Sequence, residues 1–447
     1  MQILGQIIFI LLFIFSIGFF ARNVKKLIRN IKLGRPVNRF DQPGKRWAYM
    51  ARVALGQSKM VVRPVAGIMH ILVYVGFILI NIEVLEIIID GFTGGHRSFA
   101  PYLGSFYSFL IGFFEILAFL VLVGVIVFWF RRNVNKIKRF WAREMKGWPF
   151  KDGNIILYFE MVLMLAILVM NATDHQLQIM GEPGYAHESG IAGWFPVSDL
   201  IRPLFEGMSA SGLIILERFA WWFHIIGILF FLNYLYYSKH LHIFLAFPNT
   251  YFAKMDPMGE LDNLEAVTKE VDLMMDPNAD PFAEPEGGEE ESEPEKFGAS
   301  DVMDLNWVQL LNAYTCTECG RCTSVCPANR TGKLLSPRKI MMDTRDRLEE
   351  VGKIIDEKGS FESDGKQLLD DYILREELWA CTSCNACVEA CPIGIDPLSI
   401  IIDMRRYLVM EESGAPQELN VMMNNIENNS APWPYSQQDR LNWVEED

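Results

Sequence analysis

The chain has 447 residues, 51% of them hydrophobic, and a formal net charge of -14 at pH 7. Apolar residues crowd the stretch before Pro248, whereas the acidic excess and all eight cysteines follow it, which excludes a single globular core and predicts a membrane half followed by a soluble half. The acidity of the soluble half argues against nucleic acid as a partner, and eight cysteines in two short clusters point to metal ligation in a reducing compartment, not to disulfides.

Five segments are long and apolar enough for a bilayer core, which takes about 20 helical residues: 3–20, 65–89, 107–130, 154–171 and 219–247. The first lacks the basic lead and the cleavage site of a secretion signal and reads as a retained helix. Cytoplasmic loops accumulate Lys and Arg. The loop between the first two spans carries Lys26, Arg29, Arg46, Lys59, Arg63 and seven more basic residues against Asp41, and the third connection repeats the signal from Arg131 to Lys151. The fourth connection instead carries Glu182, Glu188, Asp199 and Glu206. The amino terminus is therefore expected outside a cytoplasmic (inner) membrane, and everything after Pro248 in the cytoplasm.

Imidazoles inside a membrane are costly and mark function. His70 lies about five residues into the second span, roughly 8 Å below its cytoplasmic surface. His224 and His242 are 18 residues apart, so on one continuous fifth helix they share a face about 27 Å apart. His242 is then the natural partner of His70 for a haem b, and His240 points away from that face. Glu115 and Glu160 are intramembrane carboxyls that either relay protons to a quinone or bond to a neighbouring helix. This arrangement resembles the membrane cytochrome b subunit of respiratory nitrate reductase, the gamma subunit, in which the second and fifth of five helices ligate two haems. In that family the second helix supplies two histidines, but here the tenth residue after His70 is Ile80. His224 is thus left to a second haem or a quinone, with His175, or less directly His96 and His187, as its partner.

Residues 251–300 are rich in Asp, Glu, Pro and Gly, densest from 284 to 295 with Glu289, Glu290 and Glu291, and read as an acidic linker. Helices are predicted at 302–314, 337–351 and 397–410, with the cysteines on the loops between them. The cysteines fall as Cys316, Cys319, Cys322, Cys326, Pro327 and as Cys381, Cys384, Cys387, Cys391, Pro392, each spelling C-x2-C-x2-C-x3-C-P. This run belongs to two-cluster ferredoxins, where the fourth cysteine serves the other cluster. Cys316, Cys319, Cys322 and Cys391 are assigned to one 4Fe-4S cluster, and Cys381, Cys384, Cys387 and Cys326 to the other. Paired zinc sites, the alternative, do not account for three short spacings followed by Pro, twice. The stretches CTECGRCTSVCPANRTGKLLSPRKI and LWACTSCNACVEACPIGIDPLSIIIDMRR resemble the dicluster module of heterodisulfide reductases, over residues 305–408. That resemblance implies a helical ferredoxin domain handing electrons between proteins.

The reading is an all-α chain: a five-helix transmembrane bundle (1–250), an acidic linker (251–300) and a helical two-cluster ferredoxin domain (301–447). Its expected function is electron transfer within a quinone-linked oxidoreductase, between a membrane quinone, haem b, two 4Fe-4S clusters and a soluble cytoplasmic partner. The resembling reductases pair this module with a cysteine-rich domain that is not found before Asp447, so a separate subunit, or a flavoprotein in its place, is the expected partner. A membrane-anchored redox sensor is the competing class, but no output domain is visible.

Overall fold

The computed structural model describes residues 2–187, 190–277 and 296–444, and among these residues every regular element is helical. Five long apolar helices come first: α1 (Gln2–Ile31), α2 (Pro64–Thr93), α3 (Ser105–Asn133), α4 (Trp148–Ile179) and α5 (Ala210–Tyr234). At 1.5 Å per residue, the shortest of them is about 37 Å long, enough to cross a bilayer. Proline opens α2, where its fixed φ costs nothing, and α4 starts directly after Gly147 at φ 81°. Each helix packs on the next, and α5 returns to α1, which closes the bundle. Glycines permit the close approach of α2 and α3: a Cβ at Gly76 would strike the Val121 side chain, and one at Gly124 would press on Val73 at 3.2 Å.

The fifth span differs from its expected bounds of 219–247. The helix starts at Ala210, stops at Tyr234, passes through two single turns and restarts as α6 (His242–Tyr251). The cause is Asp152 on α4. Its carboxylate accepts from the Tyr234 hydroxyl at 2.5 Å, the Ser238 hydroxyl at 2.7 Å and the Lys239 N–H at 3.2 Å, and so pulls the chain out of helical register. His242 therefore opens a new helix and does not continue α5.

The segment 251–300, expected to be without regular structure, holds a helix, α7 (Glu265–Met275), whose Glu, Ala, Lys, Leu and Met residues favour that state. The acidic run 284–295 lies outside the described residues. The cysteine region is built on α8 (Trp307–Thr315), α9 (Pro337–Lys358) and α10 (Pro397–Met410), followed by α11 (Gln417–Asn429). Leu310, Ile340, Leu348, Ile400 and Met404 are fully buried in it and share one core with Leu27, Phe231, Leu235 and Leu241 from the end of the bundle.

Polar contacts seal this junction. Lys26 and Arg29 both reach Asp356 at 2.5 Å, Asn30 donates to the Tyr314 hydroxyl at 2.9 Å, and Asn249 donates to the Ile393 carbonyl at 2.9 Å. Arg338 donates to Glu144 and to the Arg139 carbonyl, each at 2.6 Å. The cysteine region is thus docked on the bundle through many separate contacts.

Candidate iron-sulfur and histidine sites

The two cysteine runs fold alike. Glu318 and Ser383, each the second residue after the first cysteine of its run, take φ 54° and 53°. Gly320 and Asn385, each directly after the second cysteine, take φ 67° and 57°. Gly and Asn are the residues that tolerate this left-handed conformation best. The reversals curl the backbone inward and aim N–H groups at sulfur: Ser383 donates to Cys381 Sγ at 3.4 Å and Ile395 to Cys391 Sγ at 3.3 Å. A short helix follows in each run, Arg321–Val325 and Ala386–Ala390, and these two pack together.

The eight thiols line two cavities. Cys316, Cys319, Cys322 and Cys391 border the first, Cys326, Cys381 and Cys384 the second, and Cys387 lines both. The fourth cysteine of each run is thereby carried across to the other run, as the ferredoxin pattern implies. Among the described residues no three His, Cys, Asp or Glu side chains close around a point as a single-ion site does. The thiols instead surround spaces, which suits a polynuclear cluster. Burial pushes Cys316 and Cys387 up to about 12 and Cys391 up to about 11. Thiolates at such positions need a strongly cationic partner, which iron supplies.

Three of the histidines, His70, His240 and His242, lie together at the bundle end next to the cysteine domain. The rings of His70 and His242 lie 6.4 Å apart, centre to centre. Two imidazoles bound to one metal at about 2 Å per bond have ring centres about 6 Å apart, so this spacing fits bis-histidine ligation. His242 donates from Nδ1 to the Lys239 carbonyl at 3.1 Å, leaving Nε2 as the free lone pair. His70 Nδ1 is buried with no hydrogen-bond partner. The helix break after Tyr234 removes the phase argument that set His240 aside: its ring lies 5.4 Å from that of His242, and its Nε2 is 3.5 Å from Glu160.

His224 is 1% exposed and bonds through Nδ1 to the Leu163 carbonyl at 3.1 Å. His175 lies 12 residues beyond Leu163 on α4, about 18 Å away. It pairs with Asp199 at 2.7 Å and stacks on Phe195. The structure does not bring His175 to His224. His96 and His187 stack on each other at 5.8 Å, at the bundle end remote from the cysteines. Glu115 accepts from the Ser198 hydroxyl at 2.5 Å and from the Val197 and Ser198 N–H groups at 3.1 Å, which makes it a pin for that turn.

One residue that sequence reading passed over links the two sites. Arg321 lines the first cysteine cavity and donates to the Lys59 carbonyl at 2.9 Å and the Met60 carbonyl at 3.2 Å, in the loop that leads into α2 and His70. Only its place between two cysteines hinted at this.

Two cysteine-lined cavities in a helical domain, docked on a bundle of five membrane-length apolar helices, define a membrane-associated iron-sulfur electron-transfer protein. Residues 315–395 match the 4Fe-4S dicluster domain family. The chain is 30% identical to the probable iron-sulfur-binding oxidoreductase FadF of Bacillus subtilis, over 99% of this chain and 61% of that protein. It is 27% identical to the EtfAB:quinone oxidoreductase of Syntrophomonas wolfei, over 92% of this chain and 55% of that protein. The cysteine domain is 32% identical to one of the subunits of a CoB-CoM heterodisulfide reductase of Methanosarcina acetivorans, over 27% of this chain and 60% of that relative. The chain therefore carries a heterodisulfide-reductase-like dicluster domain, and it spans little more than half the length of the first two relatives. No solved structure matches it.

Proposed function

We propose that this chain is the membrane-bound electron-transfer part of a quinone-linked oxidoreductase, carrying electrons between a membrane quinone, a haem b, two 4Fe-4S clusters and a soluble cytoplasmic partner. The observation that carries the reading is the 6.4 Å spacing of the His70 and His242 rings, at the bundle end next to a cavity lined by five of the cysteines. These cofactors supply one-electron steps at fixed positions. The protein supplies the ligands, their burial and their order from the membrane outward.

In this reading His70 and His242 hold the haem, as in the cytochrome b of nitrate reductase, and the Lys239 carbonyl fixes the His242 tautomer. Cys316, Cys319, Cys322 and Cys391 hold the cluster nearer the bundle, and Cys326, Cys381, Cys384 and Cys387 the one farther out. His224, with Nδ1 occupied by the Leu163 carbonyl and Nε2 free, is the candidate ligand for a second haem. The division is a cytochrome b-like part (1–250), an acidic linker (251–300) and the dicluster part (301–447), with the amino terminus outside and the clusters in the cytoplasm. The partner is a cysteine-rich protein or a flavoprotein, in keeping with the name of the Syntrophomonas relative.

The test is a reduced-minus-oxidised spectrum of the purified chain with haem and iron counted. A haem b band and about eight non-haem irons per chain are expected. A protein with iron but no haem, whose clusters do not respond to any quinol, refutes the proposal.

A further inference from the structure

We infer that the cavity between α2, α3 and the loop joining them binds the ring of a membrane quinone, with Glu83 and Glu86 exchanging its protons. The inference rests on the quinone-linked reading above and gives it a site. The cavity measures about 390 Å³, walled by Phe99, Leu103, Leu110 and Phe114 and closed at its polar end by Glu83, Glu86 and Tyr107. An apolar cavity of about 150 Å³ accepts benzene, so this one has room for a substituted ring and the start of its tail.

Its mouth lies on the lipid-facing side of the bundle, where Ile82 is 44% and Tyr102 88% exposed. A ligand dissolved in the bilayer enters there directly. Glu83 is 13 residues beyond His70 on α2, so the cavity sits about 20 Å deeper than the histidine pair, toward the end of the bundle remote from the cysteines. His224 lies seven residues from Glu217 on the side of the histidine pair, about 10 Å along α5, and so stands between this depth and His242.

The polar end is built to hold carboxyls. Glu83 and Glu86 are 5% and 4% exposed. Tyr107 donates to Glu86 at 2.7 Å and the Phe99 N–H donates to it at 2.8 Å. The cations nearby are committed elsewhere: Arg97 to Asp174 at 2.6 Å, and Arg218 to Glu217. Among the described residues no ion pair forms with Glu83, Glu86, Asp90 or Glu115, so this buried cluster has more carboxyls than cations. Such a cluster must hold exchangeable protons or admit water. A second, polar cavity backs onto the first through Glu83 and Glu86 and is lined by Asp90, His96, Asp174 and Glu217. Contacts from Glu86 through Tyr107 and Arg97 to Asp174 and His96 continue to the remote membrane face.

Reduction of the quinone takes two electrons and two protons. Each carbonyl oxygen gains a hydrogen, the two C=O bonds become C–O single bonds, and the ring becomes aromatic. The electrons pass between the ring and the redox chain proposed above, and the protons between the ring and the carboxyls, which refill through the His96 side. Quinol oxidation is the same balance reversed.

The test uses the full chain in nanodiscs, with ubiquinone-1 and menadione as oxidants of the dithionite-reduced protein and a short-tailed azidoquinone as photolabel. The label is expected within residues 82–114, and Leu110→Trp is expected to abolish it and slow quinone-driven reoxidation at least tenfold, with iron content unchanged. The Glu83→Gln, Glu86→Gln double variant should keep the label and slow reoxidation, with an altered pH profile. Normal reoxidation with the label elsewhere and no effect of Leu110→Trp overturns the site while leaving the quinone-linked function standing. Reoxidation by neither quinone overturns that function as well. An unchanged rate and pH profile in the double carboxyl variant overturns the proton role.

Discussion

Replacing Arg338 by Met should loosen the dicluster domain from the bundle. Arg338 is 0% exposed and its partner Glu144 13%, with 2.6 Å between them. Removing one partner of a buried pair costs about 3–5 kcal/mol, because the other charge stays buried and uncompensated. At about 1.4 kcal/mol per factor of ten, that is roughly two to three and a half orders of magnitude in domain opening. Arg338 also lines the first cysteine cavity, so opening exposes that cluster site. The rate of iron release to a chelator reads the opening directly.

The pH dependence follows from Glu144. Burial pushes its carboxyl up, but Arg338 outweighs burial and holds it below the ordinary value of 4.5. Its contribution in the wild type is therefore complete above about pH 4.5 and lost as pH falls through the lowered folded value. In the variant burial, the largest influence, is opposed only by the Ser336 hydroxyl and a backbone N–H. The carboxyl then rises from its wild-type value, and acidification relieves the penalty. The wild-type and variant release rates should differ most at pH 7.5 and less at pH 5.5. Rates within threefold at pH 7.5, or a gap that widens on acidification, would refute the account.

Three other outcomes are expected. His70→Ala and His242→Ala should each lose the haem band near the cysteine domain, while His240→Ala keeps it; a spectrum lost only in the His240 variant would reverse the ligand assignment. Cys391→Ser should halve the non-haem iron from about eight to about four and spare the cluster of Cys381, Cys384 and Cys387, as the crossed ligation requires; Mössbauer spectra count the clusters, and loss of the other cluster instead would show uncrossed pairing. Asn385→Val should cost about 1–2 kcal/mol at its left-handed φ, and Asn385→Gly should be tolerated, both read by cluster half-life.

How much of this was legible in the sequence depended on how local the cause was. Spacing and a following proline are contained within each cysteine run, and the crossed assignment is read from them, with Cys391 placed at the cavity of the first run and Cys326 at that of the second. The five apolar helices were legible for the same reason, since hydropathy is a property of a single segment. The break after Tyr234 was not, because no Gly or Pro marks it and its cause is Asp152, more than 80 residues earlier. With the break unseen, His240 was set aside and the 27 Å span assigned to one helix. The pairing of His175 with Asp199 and the bonds from Arg321 to the loop before α2 are likewise long-range contacts that a single sequence does not display.

The shared core has a consequence for synthesis. Asn30 meets Tyr314 across 284 residues of chain, and Leu27 shares its core with residues of the cysteine domain. At roughly 5–20 residues per second, a ribosome needs about 15–60 s to make that interval. Throughout it, the end of the inserted bundle would present an unfinished apolar surface and unpaired Lys26 and Arg29 to the surrounding medium. Assembly of this protein therefore includes a waiting stage in which a chaperone or the lipid surface must shield that end, and iron delivery falls after it.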